Sequence, residues 1–148
     1  MPSQSADFRT ARLAQAYAEL TPASLPALMA LYDDDARFKD PFNEVRGRPA
    51  IERVFRQMFE ELREPRFVVL KAASEGNDAF LTWELHFQRA SGEAMTIRGA
   101  SHLRYAASDL VVLHRDYWDA AEELYEKLPV LGLLMRWLRR RLAARQPR

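Results

Sequence analysis

The sequence predicts an α+β fold: three N-terminal helices packed on the concave face of a curved, mostly antiparallel sheet. Three observations predict it. Apolar residues recur at helical spacing from residue 8 to residue 62, interrupted by one short strand, and alternate from residue 66 to residue 118. Helices that precede a run of consecutive strands gather on one face of an antiparallel sheet. Strands this long must curl, and a curled sheet with helices across it makes a cone whose apolar interior suits a small ligand.

Composition narrows the class. A chain of 148 residues fits one domain. Apolar residues make up 48% and charged residues 29%, which excludes a disordered chain. No apolar run reaches about 18 residues, so no membrane-spanning helix is expected. The opening MPSQSADF has no basic region before an apolar stretch and is not read as a secretory signal. Cysteine is absent, which excludes disulfides, thiolate metal sites and cysteine nucleophiles and fits a cytoplasmic location. The net charge of +1 hides an asymmetry. Residues 136–148 carry six arginines and no acid, which leaves residues 1–135 at −5. An acidic body is a poor nucleic-acid binder, so none is expected as a partner.

The elements follow in order. Phe8, Leu13, Tyr17 and Leu20 mark one face of a first helix, which Pro22 ends. Leu25, Leu28, Met29 and Tyr32 mark a short second helix after Ser24. Asp35 to Pro41 reads as a short strand. Gly47 and Pro49 open a third helix, striped by Ile51, Val54, Phe55, Met58, Phe59 and Leu62 and closed by Pro65. Strands follow at Arg66–Ala73, Ala79–Arg89, about 94–105 and Leu110–Trp118. Leu81, Trp83, Leu85 and Phe87 share one face, and Met95, Ile97, Gly99, Ser101, Leu103 and Tyr105 share the matching face of the next strand. In the last strand, Leu110, Val112, His114, Asp116 and Trp118 point one way. Asp119 and Glu122 form a capping box. The domain spans residues 1–128, and residues 129–148 form a basic amphipathic helix. Its leucine stripe either packs over the open end of the cone or makes a weak membrane or partner contact.

Several residues carry chemistry. Asp40, held by Pro41 at a strand end, is a candidate general base, because an apolar cavity raises a carboxylate pKa. It also fits an Asx-type turn. His114 and Asp116 on an apolar face need partners: each other, Asp40 or a bound water. Asp119 is equally an N-cap. Tyr17 lies on an apolar stripe and needs a hydroxyl partner, and Ser101 is a short donor on its strand face. Trp118, Phe42, Phe55 and Phe59 are candidate pocket walls. Periodicity turns Glu84 and His86 outward. The three histidines have no metal-ligand spacing, and no phosphate loop, dinucleotide fingerprint or nucleophile elbow occurs.

The run from Leu31 to Phe42, then Gly47-Arg48-Pro49-Ala50-Ile51, then Asp116-Tyr117-Trp118, resembles the NTF2-like superfamily, the cystatin-like or SnoaL-like cone. The resemblance covers about residues 8–120. Within it, the chain is similar to bacterial ketosteroid isomerase. This implies an oxyanion tyrosine at Tyr17 and a base at Asp40, with Ser101 standing where that family has a protonated aspartate. His114–Asp119 is similar to the last strand of limonene-epoxide hydrolase. That similarity implies a water-activating carboxylate at Asp116 and a second near Glu84, a pocket position that contradicts the outward periodicity; Thr82 stands in place of that family's arginine. The resemblance also covers cofactor-free polyketide cyclases and implies a homodimer through the outer sheet face.

The expectation is cofactor-free acid/base chemistry of isomerase, cyclase or hydrolase type, with Asp40 as base. The ligand is a small hydrophobic or partly polar metabolite. The alternatives are a non-catalytic small-ligand binding protein and a dimeric interaction module whose basic tail binds a membrane or partner.

Overall fold

The computed structural model describes residues 5–120 together with 122, 123, 137, 140 and 141. The elements run α1 (Phe8–Ala18), α2 (Leu25–Met29), β1 (Tyr32–Lys39), β2 (Glu44–Arg46), α3 (Arg48–Glu61), β3 (Arg63–Glu75), β4 (Asp78–Gln88), β5 (Ala94–Tyr105) and β6 (Val111–Tyr117). The described strands form one sheet in the order β2-β1-β6-β5-β4-β3. All pairs are antiparallel except β1 with β6. The predicted α+β architecture is what the chain adopts.

Sequence explains where the elements start and stop. Asp7 caps α1 by accepting from the Thr10 amide at 3.0 Å. Leu13, Tyr17 and Leu20 are buried, whereas Phe8 is 68% exposed and lies off the core face. Gly47 sits at φ 93° before α3, a conformation open to glycine, and Pro49 occupies its first turn. Helix α3 buries Ala50, Ile51, Val54 and Phe55.

Four boundaries differ from the sequence reading. Tyr32 begins β1 rather than ending a helix; its 3.6-residue spacing runs on through a turn. The short hairpin strand β2 follows β1. Pro65 lies inside β3 rather than closing α3. This is an edge strand, and its pairing with β4 shifts between Arg63 and Arg66, next to Glu64 at φ 48°. In β6, Val111 pairs with Tyr105 and Leu113 with Arg104, which leaves Val112 as a bulge. Val111, 1% exposed, therefore joins His114 in the core, not Leu110 and Val112.

The cone has two unlike ends. At one, Arg9 binds Asp7, Asp109, Asn77 and the Gly76 carbonyl and lies 4.4 Å above the Tyr105 ring. The buried Thr10 hydroxyl meets those of Tyr105 and Ser74 there, at 2.9 and 2.8 Å. At the other end lie Asp40, Asp116 and Trp118, with the C-terminal half of β4. The expected helix after Asp119 and the basic helix 129–148 fall almost wholly outside the described residues. Of them, Asp119 accepts from the Glu122 amide at 3.2 Å, as a cap does. Arg141 reaches Glu61 at 3.0 Å, and its carbonyl accepts from Gln57 at 2.8 Å.

Candidate functional site

Asp40 follows β1 directly, where it caps a turn and lines a cavity. Its Oδ1 accepts from the amides of Phe42 (2.8 Å) and Asn43 (2.6 Å) and from Asn43 Nδ2 (3.2 Å). It therefore caps a turn. Its Oδ2 has one long contact, with Asn43 Nδ2 at 3.3 Å. The same carboxyl lines an interior cavity of about 90 Å³. Burial, and then the negative charge of Asp116, raise the pKa of Asp40 to about 6, against the opposing turn hydrogen bonds.

Alternation along β6 brings His114, Asp116 and Trp118 to the inner side together. His114 is 2% exposed. Its Nε2 lies 2.6 Å from Asp116 Oδ1, and its Nδ1 lies 2.6 Å from the Tyr32 hydroxyl and 3.1 Å from that of Tyr17. The two tyrosine hydroxyls are also in close contact. Ser101, opposite Asp116 in the β5–β6 register, donates to Asp116 Oδ1 at 2.5 Å. Trp83 Nε1 donates to Ser101 Oγ at 2.8 Å. One arrangement satisfies every donor. Tyr17 donates to Tyr32 and Tyr32 to His114 Nδ1, while His114 Nε2–H and Ser101 both donate to Asp116. Burial raises the pKa of both tyrosines, so both keep their protons.

The cavity walls are aromatic. Phe38, Phe42, Phe55, Phe67, Trp83 and Trp118 line it with Asp40, Asn43 and Asp116. Phe42 packs edge-on against Trp118 at 5.4 Å, and Phe67 against Trp83 at 5.6 Å. Gly99 makes room for the indole of Trp83, since a Cβ there would sit 2.5 Å from the ring. A smaller chamber of about 20 Å³, about one water in size, touches Tyr17, Ser101, His114 and Asp116. An outer groove of about 470 Å³ shares Asp40, Asp116 and Trp118 with the cavity.

Two pocket expectations are corrected. Glu84 faces outward, 3.3 Å from Arg98 and 3.4 Å from His86, because β4 keeps its register against β5 without a bulge. Phe59 lies at the margin of the α3 stripe and packs on the core; Met58 and Leu62 line the cavity in its place. The predicted Tyr17 and Ser101 occupy the network behind Asp116 rather than the larger cavity. Sequence reasoning missed Tyr32, Asn43, Phe67 and Trp83 as site residues. Trp83 was legible as an inward residue, and its indole N–H needed a partner. Asn43, 8% exposed, had no periodic signal.

Comparisons with known proteins agree with this fold. The model of the SnoaL-like domain family matches residues 13–114. The chain belongs to that family. No curated protein matches it. Among solved structures, it is similar to a hypothetical protein with a ketosteroid isomerase-like fold from Catenulispora acidiphila DSM 44928, in complex with trimethylamine. Identity is 16% and the TM-score 0.70, over 84% of this chain and 96% of that one. It is also similar to a Mycobacterium tuberculosis protein in complex with estradiol-17β-hemisuccinate, at 18% identity and TM-score 0.63, over 75% and 94%. An NTF2-like protein of unknown function from Burkholderia pseudomallei K96243 aligns at 16% identity and TM-score 0.69, over 80% and 97%. At these identities the likeness establishes the NTF2-like fold.

Proposed function

We propose that this SnoaL-like protein binds a small molecule in the cone and exchanges a proton with it through Asp40, without a cofactor. One observation carries the reading: Asp40 and Asp116 line the same aromatic cavity, where burial and the Asp116 charge push the Asp40 carboxyl up to about 6. A carboxylate poised there is ionised at neutral pH yet basic enough to take a proton from an acidic C–H or from water. Asp116 is the second carboxylate, and His114 and Ser101 orient it. Tyr17 and Tyr32 act through His114, fixing its ring. Trp118 and Phe42 are walls. The ligands in the Catenulispora and Mycobacterium structures support a small-molecule role for this interior. At about 90 Å³ the cavity lies below the about 300 Å³ at which drug-sized sites begin, so the occupant is small or extends into the outer groove.

Deuterium exchange at the α-carbon of cyclopentanone in D₂O, followed by proton NMR, tests the chemistry. The protein should accelerate exchange, with a rate that rises with pH through about 6. Asp40→Asn should lose about a hundredfold or more. Acceleration that survives in Asp40→Asn removes the base. No acceleration at all leaves the non-catalytic binding reading. We also propose a homodimer through the outer sheet face, where Leu70, Phe80 and Tyr117 are about half exposed.

A further inference from the structure

We propose that the cavity takes a small organic cation, a protonated or quaternary amine, with its charge held between Asp40 and Asp116 and its alkyl groups against the aromatic wall. The inference rests on reading the cavity as a small-molecule site and names the class of its occupant. It begins from charge. Two carboxylates face the cavity, and among the described residues no lysine or arginine lines it. Asp116 receives both its donors on Oδ1, which leaves Oδ2 without a partner among the described residues. Asp40 Oδ2 has only the long Asn43 contact.

The other titratable and charged groups nearby are committed elsewhere or lie outside. His114 stands behind Asp116, with Nε2 on Asp116 and Nδ1 on Tyr32. Lys39, Arg115 and Asp119 lie on the groove side. Lys39 pairs with Glu44 at 3.7 Å, and the Arg115 guanidinium sits 4.8 Å from the Tyr117 ring centre. Negative charge against an apolar wall is costly unless a cation meets it. A bound ammonium meets it. The walls suit the same ligand, because aromatic faces attract alkylammonium groups. An anion would meet two carboxylates, and a neutral ligand, even one that donates a hydrogen bond, would leave their charge uncompensated. The volume, about that of three waters, limits the part held inside to a few heavy atoms.

Binding of tetramethylammonium chloride tests this, against tert-butanol as a neutral match and pivalate as an anionic one. The indole N–H signals of Trp83 and Trp118 report on the cavity, and that of Trp137 is a control. Tetramethylammonium keeps its charge at every pH, so any pH dependence belongs to the protein. It should bind at least about tenfold tighter than either match at about pH 8. Protonation of Asp40 should weaken it about tenfold at about pH 5. Asp40→Asn should bind weakly at both pH values, and Asp116→Asn should also weaken binding. Equal or tighter binding of tert-butanol or pivalate overturns the inference, as does pH-independent binding of the cation to the unmutated protein. If tert-butanol alone moves the two indoles, the small-molecule site stands and the cation assignment falls. If no probe moves them, both fall.

Discussion

Asp40 is held in a place that costs the fold stability. Its pKa rises from 3.8 to about 6 on folding, so the folded protein binds this proton more tightly than the unfolded chain does. Stability tied to Asp40 is therefore fullest below about pH 4 and declines as pH rises through about 6. The difference penalises the ionised form by about 3 kcal/mol. Asn in its place keeps an oxygen for the turn amides and cannot ionise. Asp40→Asn is expected to stabilise the protein by about 1–3 kcal/mol above pH 7, with the gain vanishing below about pH 4. Calorimetry across that range checks it; a variant equally destabilised at both ends would contradict the account. The residues read from sequence and those missed divide on physical lines. His114 and Asp116 stood out because polar groups on an apolar strand face are informative. Tyr32 did not, since a buried tyrosine beside a helix end looks like any core aromatic. Only the β1–β6 pairing reveals that it reaches His114.

At the scale of elements, alternation was a sound guide wherever the ladder is regular. Strands β4 and β5 pair without interruption from Asp78↔Arg104 to Gln88↔Ala94, and their inward faces match the sequence reading. It failed at the Val112 bulge, where an extra residue reverses the faces. The similarity that turned Glu84 inward needed such a bulge in β4, and β4 has none. The outward faces are mixed. Phe80 stacks on His102 at 4.9 Å, beside Thr82, Glu84 and Arg98. Phe80 and Tyr117 nevertheless remain 46% and 51% exposed. If this face joins two copies, Phe80→Asp with Tyr117→Asp should convert a dimer to a monomer in sedimentation analysis while the fold is kept. A monomer before mutation, or a dimer unmoved by it, would rule the face out.

The whole molecule is a cone latched at one end, with two carboxylates lining a cavity at the other. The latch is built from Arg9, Thr10 and Tyr105. The opposite end holds Asp40, Asp116 and Trp118 between cavity and groove. The cone was legible from the switch in periodicity. The cavity's small volume was not, because it depends on how Phe55, Phe67 and Trp83 fill space. The basic tail is anchored at one described point, where Arg141 meets Glu61 on α3. The central claim is that two carboxylates share one apolar space, where burial and then the Asp116 charge raise Asp40. Carbon-13 NMR titration of the Asp40 carboxyl, in the unmutated protein and in Asp116→Asn, tests it most directly. The account predicts a midpoint of about 6, falling toward the ordinary value when the Asp116 charge is removed. A midpoint near 3.8 in both proteins would contradict it.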